Sequence, residues 1–176
     1  MIYLFKKYSI IKIGVVTCSA AVFTLAPAYA VTTTASFQVT ANVITSCALT
    51  TPATLPFGNY SPSSGVALTA STTFNVVCTV GTPYSLGLDA GSSTGASVTA
   101  RQMTSSTATA GSNLLAYGLF KELGRTTNWD NSVAGTGYTA TGLVQPYTIY
   151  GAIPPGQYGV AAATNYADTI VLTLTY

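Results

Sequence analysis

The 176-residue chain has no histidine and few charged residues, with six Lys or Arg and four Asp or Glu. The missing histidine excludes Ser–His–Asp and Cys–His catalysis and any histidine-ligated metal. With charged residues at 6%, no basic patch exists that could neutralise many phosphates, so nucleic-acid binding is excluded. The residue types indicate no cofactor and no metal. These absences favour a structural or binding role over an enzymatic one.

Long apolar runs are also missing after residue 30, although the mean hydropathy is +0.44. None approaches the roughly 18 residues of a membrane span. Before that point, three lysines precede a mostly apolar stretch over 13–26, and Ala28-Tyr29-Ala30 fits a signal-peptidase site. We predict a secretory signal over residues 1–30, with a membrane anchor as the alternative. Its loss leaves three cations against four acids, and near-zero net charge suits a protein that polymerises.

Two cysteines, Cys47 and Cys78, remain once the signal and its Cys18 are removed. An exported chain with two cysteines is expected to form one disulfide, because its compartment is oxidising. Two buried free thiols are the alternative. A metal is not expected, since nothing supplies the other ligands.

Short alternating runs separated by turn residues dominate the rest of the chain. No stretch of ten or more residues has a 3.6-residue period, so the pattern predicts an all-β sandwich. Residues 104–113, rich in Ser, Thr and Ala, predict a mobile loop. The apolar positions that alternate are Phe74, Val76 and Cys78; Leu86 and Leu88; Leu115, Tyr117 and Leu119; Tyr147, Ile149 and Gly151; and Ile170, Leu172, Leu174 and Tyr176.

The segment that follows the predicted cleavage site alternates over an unusual length. Thirteen extended residues span about 43 Å, well beyond a typical strand. It is interpreted either as an ordinary first strand or as an arm, over 31–46, that adds to the sheet of another molecule. The residues of its apolar face are Ala35, Phe37, Val39, Ala41 and Val43.

The last alternating run is expected to form a sheet edge, and an uncovered edge invites pairing. An arm and an open edge on one chain would give head-to-tail filaments rather than closed dimers. We expect the arm to enter a groove flanked by this strand, through Ile170, Leu172, Leu174 and Tyr176.

Six short segments, in this order and spacing, match the pattern of a known family. They are Phe37-Gln38-Val39-Thr40-Ala41, Phe57-Gly58-Asn59-Tyr60-Ser61-Pro62, Cys78-Thr79-Val80-Gly81-Thr82-Pro83-Tyr84, Leu115-Ala116-Tyr117-Gly118-Leu119-Phe120, Arg125-Thr126-Thr127-Asn128-Trp129 and Tyr166-Ala167-Asp168-Thr169. Through them the chain resembles the spore coat protein U domain family, which includes subunits of archaic (Csu-type) chaperone–usher pili. The resemblance covers nearly all of residues 31–176.

The resemblance implies an incomplete immunoglobulin-like β-sandwich over residues 47–176, completed by a donated strand. It implies three kinds of partner: a periplasmic chaperone, an outer-membrane usher and identical or related pilin subunits in a surface fibre supporting adhesion and biofilm formation. The chain departs from the family pattern by an apparent insertion over 159–165 and by Asp130 in place of glycine.

Two other functions stay open at this point. The family also contains spore or cyst coat proteins, which assemble without an usher. Trp129 and the tyrosines could instead form the glycan-binding surface of an adhesin, although aromatic side chains in a sandwich are more often core. Four scattered acids, Asp89, Glu122, Asp130 and Asp168, offer a weak case for hydrolysis. Arg101 and Arg125 are expected to pair with aspartates.

Overall fold

A computed structural model describes residues 28–176, and the predicted signal lies almost entirely outside that range. Residues 28–46 contain no strand, whereas the compact unit that begins at Asn42 contains eight. The strands are β1 (Cys47–Leu49), β2 (Leu68–Cys78), β3 (Pro83–Leu88), β4 (Arg101–Thr104), β5 (Leu114–Phe120), β6 (Tyr138–Thr139), β7 (Gln145–Ile153) and β8 (Leu172–Thr175). A single 3-10 turn, Pro62–Ser64, lies between β1 and β2.

Two antiparallel sheets make up the unit, and the predicted all-β sandwich is confirmed. One sheet has the order β1-β2-β7-β5-β4 and the other the order β6-β3-β8. The long β2 pairs with β7 along nine residue pairs, with Phe74 opposite Tyr147. Strand β8 pairs with β3, with Leu172 opposite Leu88, and lies at the edge of its sheet. Within residues 28–176 no helix is long and apolar enough to cross a membrane.

Period-2 burial explains most of these strands. In β5, Leu115, Tyr117 and Leu119 are buried, and the residues between them are half exposed. In β2, Phe74, Val76 and Cys78 face the core in the same way. One face of each strand is buried and the other stays in contact with solvent. A sequence whose apolar residues alternate in this way favours a strand over a helix.

Strand β3 is buried on both faces, which its sequence did not indicate. Leu86 and Leu88 face the core, while Ser85 is also buried. The opposite face of β3 is covered by the segment after Trp129. A side chain at Gly87 would lie 2.7 Å from the Asn131 amide oxygen, so this close approach requires glycine.

Aromatic rings fill the centre of the sandwich. The Phe74 ring lies 5.9 Å from the ring of Trp129 and 5.5 Å from that of Tyr147. Trp129 is 1% exposed and donates its indole N–H to the carbonyl of Leu86. The glycan-binding surface suggested for Trp129 is therefore wrong, because this ring is part of the core.

Candidate functional site

An open groove of about 1170 Å³ runs along the compact unit between β8 and the segment that follows β1. Its floor consists of apolar side chains from both sheets, the residues Leu88, Leu115, Tyr117, Leu119, Ile149 and Ile153. All of these are less than 9% exposed. The groove therefore offers a row of apolar positions to an incoming extended chain.

One side of the groove is the last strand. β8 is hydrogen-bonded on one side only, to β3, so its other edge is available to a further strand. Of the four residues predicted at the groove edge, Ile170 and Leu172 line the groove. Leu174 packs against the core without lining the groove, and Tyr176 is 57% exposed. Their role in accepting a strand stays a prediction.

The opposite side is formed by residues 51–60, which sequence reasoning missed. The Phe57 ring meets the Tyr117 ring edge-on at 6.3 Å, and Thr72 donates a 2.8 Å hydrogen bond to the Ala53 carbonyl. A side chain at Gly151 in β7 would lie 2.6 Å from the Phe57 ring, so even an alanine there would displace this ring. These residues have no regular period. The signals in the sequence are the apolar pair Leu55 and Phe57 among prolines and the family segment that begins at Phe57, and neither shows that the stretch borders a groove.

The apolar face assigned to the arm is exposed in this chain. Phe37 is 86% exposed, Val39 81% and Val43 86%, and Ala35 and Ala41 are exposed as well. Leaving such side chains in water forgoes roughly 1.5–3 kcal/mol for each large one that could be buried. The segment also forms no strand, contrary to its interpretation as an ordinary first strand of this sandwich.

A disulfide joins Cys47 to Cys78 where the arm meets the first sheet. The two residues are opposite one another in the β1–β2 ladder. Next to them, the amide of Ser46 donates a 3.1 Å hydrogen bond to the Thr79 hydroxyl. The Thr79 hydroxyl in turn donates to the carbonyl of Ile44. The chain leaving β1 towards the arm is therefore held at its root by covalent and hydrogen bonds.

A carboxylate, Asp168, lies in the groove wall and is fully engaged. It accepts 2.8 Å hydrogen bonds from the amide and hydroxyl of Ser92, and a third from the amide of Thr169. Its other oxygen accepts a 2.7 Å bond from the Tyr117 hydroxyl. Burial, and then this bond to Asp168, raise the pKa of Tyr117 well above its usual range. Asp168 thus ties β5, the loop after β3 and the approach to β8 together.

The guanidinium of Arg101 is completely buried and bonded to backbone carbonyls. It donates to Leu88 and Asp89 at the end of β3, to Trp129 and to Val98, at 2.6–2.8 Å. Burial lowers its pKa, with nearby acidic groups opposing the shift. The expected ion pair with an aspartate is wrong here. The acceptors of Arg101 are backbone carbonyls, which every residue carries, so the side chains in the sequence do not indicate them.

Arg125 does not form the expected ion pair either. It donates to the carbonyls of Gly151 and Leu123, and its guanidinium lies 5.8 Å from the centre of the Tyr150 ring. In the described part of the chain, the ion pair present is Lys121–Asp130, at 3.3 Å. Its partners are partly exposed, so it contributes little to stability.

The remaining carboxylates are also held by structural hydrogen bonds. One oxygen of Asp89 accepts from the amides of Gly91 and Val171. Glu122 accepts from the amides of Thr126 and Thr127, and these bonds lower its pKa. Residues 28–176 contain no group of three or more Cys, Asp or Glu positioned to hold a metal ion. Chemically, the site can bind an extended apolar chain, and its polar groups serve the fold.

Comparison with known proteins fits this geometry. The family model for the Spore Coat Protein U domain matches residues 33–173. This chain belongs to that family. Its relative Protein U of Myxococcus xanthus is 34% identical over 178 aligned positions, covering 93% of this chain and 96% of that protein.

A solved structure shares the fold of this family member. It is the chaperone–tip adhesion subunit pre-assembly complex CsuC–CsuE from archaic chaperone–usher pili of Acinetobacter baumannii. The match has a TM-score of 0.53 at 21% identity and covers 76% of this chain. The chain spans 40% of the length of the matched one. At 21% identity, this similarity shows a shared fold and no more.

Proposed function

We propose that this protein is a non-enzymatic structural subunit of a surface fibre, assembled by donor-strand exchange. The observation that carries the proposal is the combination, in one chain, of an open apolar groove beside a free strand edge and an exposed arm with an alternating apolar face. The arm of one copy would enter the groove of the next and pair with β8. The interface is heterologous, because two different surfaces meet, and it extends into a filament when the rotation between subunits does not close a ring.

The assembly partners follow from the same open groove. Before the neighbouring arm arrives, partly exposed apolar side chains on the two sides of the groove, among them Phe57, Ile170 and Leu172, face water, and such surfaces promote aggregation. A periplasmic chaperone that lends a strand would protect it, and an outer-membrane usher would exchange that strand for the arm of the next subunit. The likeness to a chaperone-bound pilus subunit supports this route. Export through the periplasm to the surface, and support of adhesion and biofilm formation, belong to the same proposal.

A competition experiment tests the donated strand. A synthetic peptide of residues 31–46 is added to the polymerising protein, and fibre length is measured by electron microscopy. The free peptide should occupy grooves and shorten the fibres in proportion to its concentration. A control peptide with Phe37→Asp and Val39→Asp keeps the length but carries charge on the apolar face, and should leave fibres unchanged. If the fibres have the same length with either peptide at saturating concentration, donor-strand assembly is refuted.

A coat protein assembled without an usher is the second candidate. It is favoured by the family name and by the 34% identity to Protein U along almost its whole length. Deletion of the usher gene separates the two. A pilus subunit should then be lost from the cell surface and retained in the periplasm, whereas a coat protein would still reach its layer.

A further inference from the structure

The segment 159–165 is fixed in place against the loop 104–113. The Ser112 amide donates to the Gly159 carbonyl, and the Ala161 amide donates to the Ser112 carbonyl, both at 2.8 Å. The Asn165 side chain accepts hydrogen bonds from the hydroxyls of Ser105, at 2.6 Å, and Thr107, at 2.8 Å. The segment is therefore a built part of the domain rather than a loose connection.

This segment forms one end of the groove wall. Residues 160–164 line the groove, and Ala161 is 8% exposed. The position along the groove follows from the strand register. Ser112 lies two residues before the start of β5, and Leu115, the second residue of β5, is opposite Met103 in β4. The wall therefore lies at the Leu115 end of the floor, beside Tyr166 and Asp168, which lead into β8.

The direction of an added strand decides which arm residues meet this wall. Every pair of neighbouring strands in residues 28–176 is antiparallel, and antiparallel pairing is slightly more stable per residue. β8 runs away from the wall, from Leu172 to Thr175. An arm antiparallel to β8 runs towards the wall, so its last apolar residues, Ala41 and Val43, arrive there.

We propose that Val160, Ala161 and Ala163 form the seat for Ala41 and Val43 of the neighbouring copy, and so fix the register of the donated strand. The inference rests on the proposed function and names the residues that recognise the arm. Small wall side chains leave room for a valine, whereas Phe37, six residues earlier in the arm, lies towards the opposite end of the groove. A slip by two residues keeps the same face of the arm towards the core, but it would place Ala41 or Thr45 at the seat of Val43.

Cross-linking between two differently substituted full-length chains tests the seat. One chain carries Val43→Cys in the arm, the other Ala163→Cys in the wall, and the mixture assembles with its native disulfides intact. A short thiol-specific cross-linker should then give a covalent dimer on a reducing gel. The matched arm variant Ala35→Cys, mixed with Ala163→Cys, should give none. A dimer with Ala35→Cys in place of Val43→Cys would overturn the proposal.

A third pair separates this inference from the proposed function. Val39→Cys lies at the centre of the arm and Ile170→Cys at the centre of the β8 side, so they meet whichever way the strand runs. If this pair cross-links and Val43→Cys with Ala163→Cys does not, the seat is wrong but strand donation stands. If neither pair cross-links, both proposals fail.

A compensation experiment tests the same seat without cysteines. Ala163→Leu on the accepting chain overfills the wall and should slow assembly about tenfold, in line with the usual cost of overpacking. Val43→Ala on the donating chain should restore the rate, whereas Ala35→Gly should not. Equal rescue by both arm variants would contradict a specific seat for Val43.

Discussion

The hydroxyl of Tyr117 in the groove floor donates a 2.7 Å hydrogen bond to the carboxylate of Asp168. Tyr117 is 7% exposed, and its pKa is raised by burial first and by Asp168 second. The folded protein therefore holds this phenol in its neutral form. In the unfolded chain the phenol ionises near pH 10. This contribution to stability is fully present below about pH 10 and is lost as the pH rises towards the raised pKa of the folded state.

We expect the free energy of unfolding to fall above pH 10, by up to about 1.4 kcal/mol per pH unit from Tyr117. Tyr147 adds to the effect in the same direction, since burial and its bond to Tyr84 also raise its pKa. Tyr117→Phe should flatten the alkaline decline measured by urea denaturation between pH 9 and 11. Tyr158→Phe is the control, because Tyr158 is 71% exposed. The same slope in wild type and Tyr117→Phe would contradict this assignment.

Arg101 is predicted to be among the residues most sensitive to conservative change. Arg101→Lys keeps the charge but cannot reach four carbonyls in separate directions, so buried acceptors lose their donors. We expect a loss of at least about 2 kcal/mol in the free energy of unfolding. Lys121→Arg, at a partly exposed ion pair, should change stability by less than about 0.5 kcal/mol. Comparable unfolding midpoints for the two variants would show that the carbonyl contacts matter little.

The disulfide closes a loop with a sequence separation of 31 residues. The chain-entropy model gives about 3–4 kcal/mol for such a loop. Cys47→Ala with Cys78→Ala should lower the unfolding midpoint accordingly, and thiol labelling of the native wild type should find neither cysteine reactive. Reduction of the wild type should reproduce the stability of the double variant. Labelling of both sulfurs in folded, unreduced protein would contradict the pairing.

The strands with one buried face were predictable from the sequence, because alternation records burial directly. Runs such as Leu115-Ala116-Tyr117-Gly118-Leu119 lie in strands as expected. The side of the groove formed by residues 51–60 was not predictable, since its contacts depend on a glycine, Gly151, in a distant strand. The role of Arg101 was predicted wrongly for a related reason. Its acceptors are backbone carbonyls brought together only by the fold.

The arm differs from both cases. Its alternation in the sequence is as regular as that of a buried strand, yet Phe37 and Val39 are exposed in this chain. The pattern therefore indicates a buried face without showing what buries it. Strand donation supplies the missing partner, the groove of a neighbouring copy. Val39, at the centre of the apolar face, is therefore the most informative position for a test.

Substitution of Val39 by aspartate tests the central claim most directly. Val39→Asp would place an unpaired carboxylate in the apolar groove of the neighbouring subunit, at a cost far above the lost contact. Thr40→Asp is the matched control, because Thr40 lies on the opposite face of the arm and would stay in solvent. Each variant is expressed with the chaperone and usher, and surface fibres are counted by electron microscopy.

The account predicts that Val39→Asp subunits fold on the chaperone but form no fibres, while Thr40→Asp subunits form fibres like the wild type. Normal fibres from Val39→Asp would contradict strand donation. Failure of Val39→Asp to fold even with the chaperone would instead make residues 35–43 part of their own sandwich.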